Sequence, residues 1–283
     1  MSILGRGAVD GNRANQSGHP IPIQLTNAVR VSGPVSDVAV RIDILNARGD
    51  ALYIRGKDGT NRAKRIRYQG GLIDTCDEGI LFEYSDHVKV LDFDIKDIQE
   101  QDGIEPAAFS SDWEILGGTV DGVPGSVVDV FGHAERGTIG HIYGSRYGSN
   151  GAYGLSCQNG VRYVDIDDVF LDGASSPGSA AGIGISLTGS PPSHIRIRRP
   201  KVYASHDVGI MVATGLVHVD IEDAWVWEAK RDGILHLGTR SRILGCQCWN
   251  NNQARLVNLA GIRSVNTVPP SDGSKMAIML DLT

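Results

Sequence analysis

The chain has 283 residues, 41% of them hydrophobic, with 36 Gly and a formal net charge of -6. That much apolar material can bury a core and excludes a disordered chain, and the acidic balance argues against a generic nucleic-acid binder, whose footprint is basic. No run of about 18 apolar residues is present, so no membrane span is expected, and the start, MSILGRGAVDGNRANQ, lacks the apolar stretch of a signal peptide.

Along the chain, short related stretches recur: ARGDALYIRG, CDEGILFEYS, EQDGIEPAAF and KRDGILHLG. Aligned, they form a series of apolar anchors at Leu52, Ile80, Ile104, Val128, Leu155, Ile185, Ile210, Ile234 and Leu256, separated by 22–30 residues. A small residue precedes most anchors, as at Ala51, Gly79, Gly103, Gly154, Gly184, Gly209 and Gly233. A repeat of this length is the signature of a solenoid. Each period carries a second alternating segment, such as HVKVLDFDIKDI, RYVDIDDVFLDG, HIRIRRPKVYAS or HVDIEDAWVWEA, with Gly, Asn, Asp and Ser at the joints. Alternation rich in β-branched residues predicts short strands, and no segment carries a helical stripe.

Two or three strands per period predict an all-β, single-domain, right-handed parallel β-helix of nine or ten rungs over residues 1–265, with 266–283 as a C-terminal tail or cap. The four cysteines, Cys76, Cys157, Cys246 and Cys248, have no C-x-x-C spacing and read as small buried hydrophobes.

GRGAVDGNRANQ at 5–16, followed by the Asp-Gly-Ile rungs, resembles the pectate-lyase-like superfamily of parallel β-helices. That superfamily includes pectate lyases, polygalacturonases, mannuronan epimerases and bacteriophage tailspike depolymerases. The motifs of its individual families are incomplete. Asp167-Asp168 and Arg196-Ile197-Arg198 echo two of the four polygalacturonase motifs, and Arg198-Arg199-Pro200 begins a pectate-lyase motif that Tyr203 breaks. The resemblance implies a polysaccharide substrate, an extracellular or virion-associated setting, and a homotrimer or other homo-oligomer as a conceivable assembly. It implies neither a nucleic-acid partner nor a membrane.

If each anchor and its +2 neighbour point inward, +1 and +3 point outward. The +1 column then reads Tyr53, Leu81, Glu105, Asp129, Ser156, Ser186 and Met211. Glu105 and Asp129 fall side by side on neighbouring rungs, with Glu83 one rung earlier and Asp102 just before the Glu105 strand. Neighbouring carboxyls push one another's proton affinities apart, which supplies the acid and the base or nucleophile of glycoside cleavage. Glu105, Asp129, Asp102 and Glu83 are therefore the candidate catalytic residues. Asp102, Glu78, Asp50 and Asp232 also read as turn acids that accept backbone amides. No cofactor is required, although oxygen ligands on one face could hold Ca²⁺.

Tyr53, Arg55, Lys57, Trp113 and His133 are the candidate substrate-binding residues. Arg55 and Lys57 belong to RGKDGTNRAKRIR at 55–67, a basic stretch that could fold over the groove. Trp113 lies in an aromatic group with Phe109, Phe131, Tyr143 and Tyr147. A second set, Phe170, Tyr203, Trp225, Trp227 and Trp249, is expected to face outward on another side of the rod, as an interface or a carbohydrate platform. A non-catalytic glycan-binding or structural module is the alternative function.

Overall fold

A computed structural model describes residues 2–11, 27–176, 178, 181–251 and 262–264, and among them there is no helix. Two parallel sheets run the length of the rod, one of ten strands and one of fifteen. The ten-stranded sheet starts at Val29–Ser32 and passes through Asp50–Arg55, Glu78–Glu83, Ile104–Ala107, Val128–Val130 and Leu155–Cys157 to Ile262–Ser264. Its ten strands give about nine rung-to-rung steps, or roughly 43 Å at ~4.8 Å per step. The expected parallel β-solenoid is therefore the observed architecture. The predicted tail at 266–283 and part of GRGAVDGNRANQ lie outside the described residues.

Hydrophobic stacking explains why the repeat closes on itself. Leu52 aligns with Ile80, Ile80 with Ile104, and Ile104 with Val128. These anchors are fully buried, as are the +2 residues Ile54, Phe82 and Val130. Each period thus places one aliphatic layer on the last, and dense interiors of this kind tolerate little change in volume.

The small residue before the anchor has a steric cause. A Cβ on Gly79 would sit 2.0 Å from the Gly103 carbonyl oxygen, and one on Gly209 would sit 2.1 Å from Val226 Cγ1. The backbone turns the corner there against the adjacent rung, leaving no space for a side chain.

The fifteen-stranded sheet shows how one strand can serve two faces. In Ser85–Lys96 the buried residues are Val88 and Val90, then Phe93 and Ile95, so the alternation slips by one around Asp92. Asp92 has φ 51°, and equivalent rung positions hold His141 at 55°, Asp168 at 49°, Arg199 at 48° and Asp223 at 52°. A left-handed residue bends the strand while keeping both halves facing inward. Non-glycine residues there carry local strain, which the stacked rungs offset.

The repeat frame needs two corrections. Ile183, not Ile185, aligns with Leu155 and Ile210, which places Gly184 rather than Ser186 in the outward column. The strand that pairs with Ile234–His236 is Ile262–Ser264, so the last anchor is Ile262 rather than Leu256. Both misalignments came from a neighbouring aliphatic at a compatible distance, where sequence spacing alone does not distinguish registers.

Candidate active site

The outward column of the ten-stranded sheet carries Tyr53, Leu81 and Glu105 in register. The Ile104–Val128 pair then sets Asp129 beside Glu105, followed by Ser156. Arg55 and Glu83 align two residues further along, and Asp50 and Glu78 align two residues before the anchors. Pro106 does not end its strand, which runs to Ala107. Lacking an amide donor, it reduces the ladder toward the next rung to the Ile104–Val128 pair.

Four of the expected residues come together here with two that the sequence reading had assigned to turns. Glu78 is 2% exposed. It aligns with Asp50 on the previous rung, its Oε1 has no hydrogen-bond partner among the described residues, and the charges of Asp50, Glu105 and Asp102 bear on it. Carboxyls this near raise one another's proton affinity, so Asp50, Glu78 and Glu105 form a ladder of acids that favours retained protons. Asp102 instead accepts the backbone amide of Ser126, as its turn role required.

Burial sets the acidities. Desolvation, followed by the charges of Asp129 and Asp102, raises Glu105 to about 8. Desolvation and Asp102 raise Asp129 to about 7, and desolvation raises Asp50 to about 6. Burial also pushes Glu78 well above the ordinary range and moves Asp102 in the same direction. Two neighbours oppose the shift at Asp129, Gln158 and then Ser156; Gln158 donates Nε2 to both carboxylate oxygens, at 3.1 and 3.0 Å. That contact favours the ionised form of Asp129, and no comparable amide serves Glu105 among the described hydrogen bonds.

Glu83 has a different environment. The Tyr53 hydroxyl donates to its Oε2 at 2.6 Å, and Arg55 approaches the same oxygen at 3.4 Å while donating Nη1 to the Tyr53 hydroxyl at 3.0 Å. Arg55 also lies 6.0 Å from the centre of the Tyr84 ring. Glu83 is thus an ion-paired carboxylate. Beyond it runs a ring ladder, with Tyr84 stacked on Phe109 at 6.1 Å and Phe109 on His133 at 4.9 Å. All three residues have left-handed φ, at 46°, 63° and 65°, which turns their rings out of the rod. Phe109 is 47% exposed.

Two expected contacts are corrected. Trp113 is 1% exposed and packs edge-on against Phe82, so it belongs to the core and cannot touch a substrate. The basic stretch does not cover the groove. Residues Ala63–Gln69 form a strand of the other sheet. There Arg65 is bound by Asp37, while Arg62, just before the strand, is held by Asp86 and Ser111. Lys57 sits exposed in a tight turn closed by its amide to the Asn61 carbonyl. Only Arg55 of this stretch stays on the site face.

The second aromatic set faces outward as expected, since Val169, Leu171, Val202 and Val226 are buried. Its rings stack on one another: Tyr203 on Trp227 at 5.3 Å, and Trp227 on Trp249 at 5.2 Å with planes 3° apart. Among the described residues, no group of three or more His, Cys, Asp or Glu is arranged to hold a metal ion.

No protein-family model matches the chain, and no curated protein matches it in sequence. Solved structures do match. Alginate lyase from Paenibacillus sp. str. FPU-7 superposes with a TM-score of 0.53 at 12% identity, covering 85% of this chain and 94% of the lyase. The A-module of the Azotobacter vinelandii mannuronan C-5 epimerase superposes with a TM-score of 0.57 at 12% identity, covering 81% of this chain and 64% of that one. Likeness at this identity is likeness of fold. The chain has the parallel β-helix fold that these two structures share, with no family marked out.

Proposed function

We propose that the chain is a polysaccharide-cleaving enzyme whose acid and base are Glu105 and Asp129. The observation that carries this reading is their placement side by side on the outer face, desolvated, with acidities near neutral and unequal support for the ionised form. Gln158 holds Asp129 as the proton acceptor, and Glu105, whose proton burial and the neighbouring acids retain, is the donor. Glycosidic cleavage needs that division of labour: one proton goes to the leaving oxygen and one is taken elsewhere, from water in hydrolysis or from carbon in elimination. The long face of a rod suits a long polymer, and Arg55 and the Tyr84–Phe109–His133 ladder would line its path, while Tyr53, 4% exposed, positions Glu83 and Arg55 from beneath.

The test is Glu105→Gln and Asp129→Asn across a panel of polysaccharides. Each variant is expected to lose release of new reducing ends by roughly a hundredfold or more, the scale of a missing acid or base, while its melting remains cooperative. Retained activity in either variant removes that residue from the chemistry.

The aromatic stack through Tyr203, Trp227 and Trp249 supports a second reading, a glycan-binding or structural module that self-associates, for instance as a homotrimer. Trp225, 46% exposed, is its most accessible ring. On that reading Trp225→Ala lowers the sedimentation coefficient, whereas the enzyme reading leaves it unchanged.

A further inference from the structure

Resting on the cleavage reading above, we propose that the groove takes a neutral, hydroxyl-rich glycan and hydrolyses it, rather than an anionic uronan opened by elimination. The distribution of charge carries this. The five consecutive strands Asp50–Arg55, Glu78–Glu83, Ile104–Ala107, Val128–Val130 and Leu155–Cys157 contain one cation, Arg55, and the rung before them adds Arg30, in register with Tyr53. They contain five acids, Asp50, Glu78, Glu83, Glu105 and Asp129, and Asp102 adds a sixth just before the third strand. Arg55 is already committed to Glu83 and the Tyr53 hydroxyl, and Arg30 lies over the Tyr53 ring at 5.3 Å, at the end of the face away from Glu105 and Asp129. On the flank, Arg62 is committed to Asp86.

Elimination asks for the opposite surroundings. The proton removed lies α to the substrate's carboxylate, and the resulting carbanion forms only if a cation or strong donors neutralise that carboxylate. A uronan also brings one negative charge per sugar to a surface where ionised acids already crowd, which raises the cost of every further charge. Hydroxyl groups suit this surface better. They donate to carboxylates and both donate to and accept from protonated carboxyls, so they fit the ladder in either proton state.

The hydrolytic step balances without further reactants. The bond from the anomeric carbon to the glycosidic oxygen breaks, and that oxygen takes the Glu105 proton. A water oxygen bonds to the anomeric carbon, and the water proton passes to Asp129, from which solvent returns it to Glu105.

The experiment uses matched polymers of identical linkage: native polygalacturonate and alginate, and the same polymers with their carboxyls reduced to primary alcohols, beside neutral glucans, mannans and xylans. Reducing-end release, ultraviolet absorbance from unsaturated ends, and retention in affinity electrophoresis are read with the full chain. The expected result is reducing ends without unsaturated ends from at least one neutral or reduced polymer, and neither cleavage nor retention of the native uronans. Cleavage of a native uronan with unsaturated ends overturns the substrate class while leaving the cleavage reading intact. Cleavage and retention of nothing overturns both. In the same assay Glu83→Gln removes an acid and releases Arg55, and is expected to bring about measurable retention of polygalacturonate at low salt, where the wild type shows none. Unchanged retention in the folded variant refutes the charge basis.

Discussion

Replacing Glu105 by Gln should stabilise the protein above neutral pH, although it removes a group proposed to be essential. The native fold lifts this carboxyl from 4.5 to about 8. Because the folded value is the higher one, the folded state holds a proton that the unfolded chain has released. The resulting stabilisation is fully present below the unfolded value and is lost as pH rises through the folded value. At about 1.4 kcal/mol per unit, the displacement corresponds to roughly 5 kcal/mol between the two limits. Burial and the charges of Asp129 and Asp102 produce the lift together, and those neighbours stay in place, so one substitution recovers about half, roughly 2 kcal/mol, and an increase in Tm of about 4–8 °C near pH 9. Near pH 4, where the carboxyl is protonated in both states, variant and wild type should melt within about 1 °C of each other. Circular dichroism melts from pH 4 to 9 measure this directly. Parallel curves for the two proteins would show that Glu105 is an ordinary solvated carboxylate.

Other substitutions separate site from scaffold. Gln158→Leu removes both donors to Asp129, so the low-pH limb of the activity profile should move up by roughly one unit while the high-pH limb stays in place. Trp113→Ala should cost about 3–5 kcal/mol in urea denaturation, because it empties a core position, and should leave the affinity for polysaccharide per folded molecule unchanged. In Gly137→Ala the new Cβ would lie 2.0 Å from Trp113 Cζ2, and a midpoint within error of wild type would contradict the packing described; the expected loss is about 1–3 kcal/mol.

The fold was legible because its signal is repeated. Anchors at Leu52, Ile80 and Ile104 each bury an aliphatic behind a small residue, Val128 continues their column, and one aligned rung determines the facing of the next. That is why Glu105 and Asp129 could be placed on one column, and why Phe170, Tyr203, Trp225 and Trp227 could be turned outward. Where two aliphatics compete, as Ile183 and Ile185 do in GIGIS, spacing does not choose between them, and the inner-column partner does.

The site was legible in its outward column and obscure where it is buried. Asp50 and Glu78 precede a glycine or alanine at a corner, a position that reads as a turn acid. Only the rung-to-rung alignment shows that this corner turns them into the same carboxyl cluster as Glu105. Trp113 was misplaced for a related reason. Its space is made by Gly137 on the next rung, directly in register, just as Gly118 makes room for Phe93. A glycine inside a strand marks such an approach once the register is known. The charges of the basic stretch at 55–67 were visible, but their partners Asp37 and Asp86 are distant in sequence and adjacent only after winding.

The pH dependence of kcat/KM on whichever polymer is cleaved tests the central claim most directly. With Asp129 ionised and Glu105 protonated in the active form, the profile should be a bell with its maximum between about 7 and 8 and a limb on either side. A profile flat through neutrality, with a single limb near pH 4, would mean ordinary carboxylates and would contradict the assignment of this pair.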